Sequence, residues 1–353
     1  MSSRGGDRRW LSTAVALVAA FLFALLLLWL VGAPPFEALR LIWDGAFGSA
    51  DRTANTLLAW VPLLLASAGL VVTFAAGLWN IGVEGQIVMG AIFAAWVART
   101  VPGPAEVVIP LIIVAGIVGG VFWALLAGVL KTYGKVNEIF GGLGLDFLAA
   151  GLATYLVIGP WAREGVASTS GTDIFRPETW MPTLTALGTE WPLIPIALAV
   201  VSVVGVYLLL RGTVFGLRLK AVGQSPRSSF LMGIPTNLYL LGAFAIGGGL
   251  AGIAGAVQTS TFHHKLVPSI SGGYGFLAIL VVLLAGFDAR WIAPIALFFT
   301  MIATGSTQLE LRLGLDSAFG DVLQGQLVLF VLFGGGWAVW MRSRRRRLEV
   351  QEE

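Results

Sequence analysis

Apolar residues run in long blocks along this chain, separated by short polar stretches. Ten blocks can be marked, at approximately 11–32, 54–77, 86–99, 107–130, 139–159, 192–211, 238–258, 274–286, 291–306 and 321–341. A bilayer core about 30 Å thick takes around 20 apolar residues per helix. The pattern therefore predicts an all-α polytopic membrane protein with about ten transmembrane helices. The third, eighth and ninth blocks are short, and their boundaries are the least definite. The first follows Arg8 and Arg9 as a signal peptide would, but Leu11 to Val31 is too long for a secretory core and Ala33-Pro34-Pro35 offers no cleavage site. It reads as a retained helix.

Composition narrows the class. Of 353 residues, 57% are hydrophobic and only 12% charged, and the mean hydropathy is +0.87. The 22 Lys and Arg with 19 Asp and Glu are too few to cover a water-soluble fold of this size, which excludes soluble enzymes along with disordered, collagenous and disulfide-stapled chains. Cys is absent, so thiol catalysis, cysteine metal sites and disulfides are excluded. His263 and His264 are the only histidines. They fall in an external loop without nearby carboxylates, a poor metal site, and the sequence calls for neither metal nor cofactor.

The charges are clustered. With the N-terminus inside, inner segments hold fifteen of the 22 Lys and Arg, including Arg4, Arg8, Arg9 and Arg344 to Arg347. That bias orients the chain with both termini cytoplasmic, and it explains the basic ends better than nucleic acid binding does. Two connections are long: 160–191 outside, with Trp161, Pro177, Trp180 and Pro182, and 212–236 inside. Neither can hold a soluble catalytic domain, so residues 1–353 read as one membrane domain.

The apolar pattern breaks at two places. Trp79-Asn80-Ile81-Gly82-Val83-Glu84-Gly85-Gln86 leaves almost no room for a loop. One reading is a tight cytoplasmic turn with a satisfied Glu; the other is a broken helix lining a solute path, since irregular backbone survives at membrane depth only beside protein or a wet cavity. Pro268-Ser269-Ile270-Ser271-Gly272-Gly273-Tyr274-Gly275-Phe276 follows the seventh span much as 79–86 follows the second. Counting spans places the first break at the inner side and the second at the outer side. Two five-helix units of opposite orientation, residues 11–160 and 192–341, give that arrangement.

Asp146 falls about seven residues inside the fifth span, roughly 10 Å deep at about 1.5 Å per residue. An intramembrane carboxylate faces either a neighbouring helix or a cavity, and both readings stand. Asn137-Glu138, at the inner mouth of the same helix, suits a cap and an acidic first turn. Gly247, Gly249 and Gly252 match G-x-G-x-x-G but lie inside an apolar helix with no preceding strand, which refutes nucleotide binding. Gly248 and Gly252, like Gly116 and Gly120, instead allow close helix approach. No G-x-x-x-x-G-K-[ST] occurs, so the chain has no P-loop for ATP.

The inner stretch Thr213 to Pro235 is amphipathic and basic, with Ser225-Pro226 as a helix start and Gly233 as its stop. By physics alone it is either an interfacial helix on anionic lipid or a docking element for a soluble partner.

Here the sequence resembles the membrane permease subunits of bacterial ATP-binding-cassette importers for nucleosides, simple sugars and branched-chain amino acids. Asn80 to Gln86 and Lys131 to Glu138 are similar to stretches of the nucleoside permeases, and Phe215-Gly216-Leu217-Arg218 through Gly233-Ile234 resembles the segment that docks into the ATPase. Leu250 to Ala256 and Gly273-Tyr274-Gly275-Phe276 extend the likeness over about residues 60–335. The chain departs from the family at Asp146, where an Asn is usual after a Met-Leu pair, and at Gln224-Ser225-Pro226-Arg227, where Asn-Pro is more common.

The resemblance implies a permease without ATPase activity of its own, in the bacterial inner membrane. Its implied partners are separate ATPase subunits, a second permease (by analogy a paralogue) and an external solute-binding protein. It implies a path lined or gated by Asn80, Glu84, Gln86, Asp146, Tyr274 and Phe276, an inner helix mouth at Asn137 and Glu138, and ATPase coupling through Arg218, Gly223, Gln224, Pro226, Arg227 and Gly233. The rivals are a proton-driven secondary transporter using Glu84 and Asp146, a permease of the same family for sugars or branched-chain amino acids, and an intramembrane enzyme. The last has no nucleophile or base constellation to work with.

Overall fold

The computed structural model describes residues 4–334 apart from 164, 166–169, 187 and 317, with side chains described from residue 15 onward. Arg344 to Arg347 and the end of the tenth expected span lie outside the described residues. Each expected span falls on a helix: α1 (Arg4–Leu30), α3 (Ala50–Ala75), α4 (Val83–Thr100), α5 (Ala105–Thr132), α6 (Glu138–Ile158), α7 (Leu193–Gly212), α10 (Thr236–Val257), α11 (Tyr274–Leu284), α12 (Ala289–Leu313) and α13 (Phe319–Gly334). The others are α2 (Pro35–Phe47), α8 (Val214–Gln224) and α9 (Pro226–Leu231). Among the described residues six of these are long and apolar enough to cross a membrane, and the pair α1–α2, bent by 106°, passes the same test as one broken span. The fold is that of an all-α polytopic membrane protein.

Several boundaries have local causes. The Asn137 side chain accepts the Ile139 N–H at 2.9 Å and starts α6, Thr213 accepts the Gly216 N–H and starts α8, and Ser225 accepts the Ser228 N–H ahead of Pro226 in α9. Gly233, at φ +80°, ends that turn. The ninth span was expected to stop near residue 306, where polar residues begin. It runs to Leu313 because Thr304 and Ser306 return their hydroxyls to the carbonyls of Thr300 and Ala303, so the polar side chains cost the helix little.

The helices group into two compact units. In residues 54–297, α4 runs through the middle, packed by α5, α6 and α10. It carries Glu84 and Gln86 in its first turn, polar residues that the surrounding protein accommodates. Small residues bring these backbones together as expected: Gly116 and Gly120 of α5 face Gly252 and Gly248 of α10, and Gly90 of α4 faces Gly252 from the other side. A Cβ on any of them overlaps the facing backbone. Gly252→Val should therefore destabilise the protein by about 3 kcal/mol, read as a lowered unfolding temperature of the purified chain. An unchanged temperature would contradict this packing.

The other unit takes its described residues up to 53 and from 298 onward. Here α2 buries Ala38, Ile42 and Ala46, one residue per turn, and Gly305 of α12 meets the Ile42 carbonyl. Gln326 Nε2 donates to the Ala20 carbonyl at 3.1 Å, joining α13 to α1.

Candidate functional site

Both breaks in the apolar pattern are breaks in helix, and they touch. After Ala75 the chain turns through Gly77, at φ +73°, and runs without regular structure to Gly82 before α4 begins. Asn80 and Gln86 are fully buried and bonded to each other in both directions, at 3.1 and 2.9 Å. That reciprocal amide pair closes the break on itself, so each side chain satisfies the other where water is absent. Gly142 of α6 crosses against Gly82 without room for a Cβ.

Glu84 makes the junction. Its carboxylate accepts the Gly273 N–H at 3.0 Å and the Gly275 N–H at 2.7 Å, with a further bond from the Ser271 side chain. These are the free N–H groups at the start of α11, where an anion is favoured. Gly272 and Gly273, at φ +59° and +76°, bend the chain so that those groups point at Glu84. Gly275 packs directly on the first turn of α4: a Cβ there lies 2.7 Å from the Glu84 nitrogen.

Asp146 completes the cluster from α6. Its Oδ1 accepts the Gly85 N–H at 2.7 Å, while Oδ2 is buried without a hydrogen-bond partner. Each of two helix N-termini thus points N–H groups at a carboxylate, α11 at Glu84 and α4 at Asp146. Trp123 of α5 packs beside Gly85, its indole N–H donating to the Leu145 carbonyl. Tyr274 is half-buried, and Phe276 remains 45% exposed.

Counting spans had placed the two breaks on opposite sides. The structure brings the two breaks into contact: the π-helical turn Gln258–Phe262 and the left-handed residues His264, Gly272 and Gly273 carry the chain back from the end of α10 to Glu84. Asn137 caps α6, and Glu138 pairs with Lys131 at 2.5 Å, beside the cluster rather than in it.

The segment 213–236 connects to the first break. Gly223, near the end of α8, abuts the backbone of Ala75, Ala76 and Gly77, with no space for a Cβ. Arg218 donates to the Tyr239 hydroxyl at 3.4 Å. Gln224 ends α8, Pro226 and Arg227 open α9, and Gly233 closes it. Beyond them Phe230, Leu231 and Met232 are 67%, 79% and 70% exposed, an apolar tip outside the bundle.

At the other end of α10, the connection 170–181 grips the chain. The Thr172 and Phe175 N–H groups donate to the carbonyls of Leu266 and His264, Met181 N–H to that of Ser260, and Trp180 stacks on His264 at 4.1 Å. Burial pushes both His263 and His264 below the ordinary imidazole value of 6.5. A released segment takes up protons below that value while the packed one resists, so this contribution is intact above about pH 6.5 and is lost as pH falls. The protection factors of the Thr172 and Phe175 amides, taken relative to the intrinsic exchange rate at each pH, should fall toward about pH 5.5, less so in His263→Gln/His264→Gln. Protection independent of pH in the wild type would count against this.

The sequence named Glu84, Asp146, Asn80, Gln86 and Tyr274, and the structure gathers them. It missed the N–H donors Gly273 and Gly275, the Ser271 hydroxyl, Trp123 beside Gly85 and the Gly77–Gly223 contact. The doubled glycine at 272–273 was the only local signal for any of these.

A helix break sealed inside protein and joined to a second break, in a chain of long apolar helices, is the architecture of a multi-pass membrane transport protein. Residues 52–332 match the family described as branched-chain amino acid transport system / permease component, and the chain belongs to it. It is similar to the glucose ABC transporter permease protein TsgB13 of Haloferax volcanii, 30% identical with 84% of this chain and 80% of the relative covered. The nucleoside ABC transporter permease protein NupB of Lactococcus lactis is 28% identical, covering 92% and 91%. The guanosine ABC transporter permease protein NupP of Bacillus subtilis is 26% identical, covering 82% and 83%. The protein is a membrane permease subunit of an ATP-binding-cassette importer.

Proposed function

We propose that this subunit forms part of the translocation path for a nucleoside, delivered by an external binding protein and driven by separate ATPase subunits docked on 213–236. It would sit in the bacterial cell membrane beside a second permease, a paralogue by preference, and perform no bond chemistry itself. What supports the nucleoside is the similarity to NupB along nearly the whole chain, together with the half-buried Tyr274 and exposed Phe276 beside the Glu84 junction, aromatic faces on which a base can stack. Glu84 and Asp146 border the path in this reading, and Asn80 and Gln86 hold its wall. A sugar is the second reading, favoured by the 30% identity to the glucose permease protein TsgB13.

Ten membrane segments with both termini cytoplasmic remain the topology we propose, arranged as inverted halves. The meeting of α4 and α11 at their first turns supports this, because equivalent points of two inverted halves can touch only on the axis relating them. ATP binding would shift the subunit between outward- and inward-open populations.

The test is ATP-dependent uptake of labelled guanosine or uridine in cells with and without the gene, with unlabelled ribose, glucose and leucine as competitors. Loss of uptake on deletion, unaffected by the competitors, supports the nucleoside. Unchanged nucleoside uptake with lost glucose uptake replaces it by the sugar.

A further inference from the structure

We propose that the pocket where the inner ends of α3 and α7 meet α8 and the turn from α11 to α12 binds the head group of an anionic phospholipid. The cavity, about 230 Å³, is lined by Tyr207, Leu210, Arg211, Lys220, Phe287 and Asp288 among others. Its charges do not cancel. Asp288 is claimed by Arg290, with Nη2 to Oδ2 at 2.6 Å and Nε to both oxygens, and that guanidinium holds the carboxyl below the usual carboxylate range. Arg211 and Lys220 have no carboxylate within ion-pair distance among the described residues. Arg211 donates to the Tyr207 hydroxyl and lies over its ring, and Lys220 donates to the Leu210 carbonyl at 2.7 Å. Both cations are exposed, so the pocket presents two positive charges with free donors to an incoming anion.

The surroundings identify the anion as part of a lipid. The apolar span α7 ends at Gly212 and α12 begins at Ala289, so the pocket lies where hydrocarbon gives way to head groups. Phe287, in its lining, is 47% exposed, and Trp291, in the first turn of α12, is 52% exposed, where interfacial aromatics belong. Phe287 is held at φ +64°, a strained conformation for a bulky residue that persists only where its surroundings impose it. Phe74, at 5.4 Å edge-on, is part of that support. A soluble phosphate gains nothing from such a rim, whereas a glycerophospholipid places its phosphate between Arg211 and Lys220 and its chains along Leu210 and Phe287. The occupied pocket ties the docking helix α8 to the inner end of α11, and so lipid charge bears on the element that Glu84 holds. This site stands apart from the solute reading and does not depend on which solute is carried.

The experiment uses the purified full chain in neutral detergent, with lipid retention read by native mass spectrometry and by unfolding temperature. Phosphatidylglycerol and phosphatidylcholine are compared, with glycerol phosphate as the soluble anion. Wild type should retain phosphatidylglycerol in preference to phosphatidylcholine, and Arg211→Gln/Lys220→Gln should lose about 25-fold of that preference, roughly fivefold per cation. The exchanged pair Arg211→Lys/Lys220→Arg keeps the charge and should keep most of the preference, which separates loss of charge from damage to the fold. Equal retention by wild type and the Gln pair overturns the proposal, as does wild type that fails to distinguish the two lipids. Displacement by millimolar glycerol phosphate would show a plain anion site and overturn the lipid assignment. Loss of ATPase binding in the Gln pair, with lipid retention unchanged, would assign the cations to a protein partner instead.

Discussion

Uptake by the assembled importer should fall at least about tenfold in Glu84→Ala, with the protein still inserted in the membrane. The carboxylate holds two partly buried N–H groups at the start of α11, at 3.0 and 2.7 Å. Hydrogen bonds to a charged group contribute about 1.5–3 kcal/mol each, and donors left unpaired bear their full desolvation cost. A loss of even about 2 kcal/mol shifts a two-state equilibrium some 30-fold. Alanine also leaves a gap where Gly275 packs against the first turn of α4, so α11 is released from its only polar anchor to that helix among the bonds described. Glu84→Gln is the informative companion. It preserves size but offers one acceptor oxygen, and its amide NH₂ opposes one of the two N–H donors, so it should retain only part of the uptake. If the junction works by holding α11, both variants lower the maximal rate and the unfolding temperature together. If Glu84 chiefly touches the solute, the apparent affinity changes while the unfolding temperature does not. Full uptake in Glu84→Ala would remove the junction from the mechanism.

What the sequence carried of this fold depended on the range over which each feature is encoded. The ten apolar runs are local, and each falls on a helix. The caps at Asn137, Thr213 and Ser225 are local too, requiring only a polar side chain two or three residues ahead of a free N–H. Close packing was readable from Gly116, Gly120, Gly248 and Gly252, since repeated small residues in an apolar helix have few other uses. By contrast, α2 escaped because Glu37, Arg40 and Asp44 interrupt its apolar residues, and the buried Ala38, Ile42 and Ala46 stand out only once helical periodicity is imposed. The contact between the two breaks escaped for a different reason. Counting spans assigns each break a side but not a depth, and it is the π-turn and left-handed residues after α10 that return the chain to Glu84. Nothing near Gly273 specifies a carboxylate 189 residues earlier in the chain.

Substitution of Gly223 should have the second large effect and should differ in kind from substitution in the exposed apolar tip Phe230 to Met232, on the segment where we propose that the ATPase docks. Gly223 sits against the backbone of Ala75, Ala76 and Gly77, where α3 gives way to the break that leads to Glu84. Any side chain there forces α8 away from α3, since the obstacle is backbone and cannot swing aside. Gly223→Val leaves Phe230, Leu231 and Met232 on the outside of the molecule, available to a partner. Leu231→Asp does the reverse: it leaves the Gly223 contact intact and sets a charge in the exposed apolar tip, where burial against a partner is costly. The expected results therefore divide. Gly223→Val should still retain the ATPase subunits on purification and still permit hydrolysis, yet lose about tenfold or more in uptake, because the motion no longer passes from α8 to α3. Leu231→Asp should lose the ATPase itself. Were both variants to lose the ATPase equally, Gly223 would serve only to shape α8, and the link from the docking segment to the helix break would need another route. Were Gly223→Val to transport normally, the contact between α8 and α3 would be packing alone, whatever its closeness.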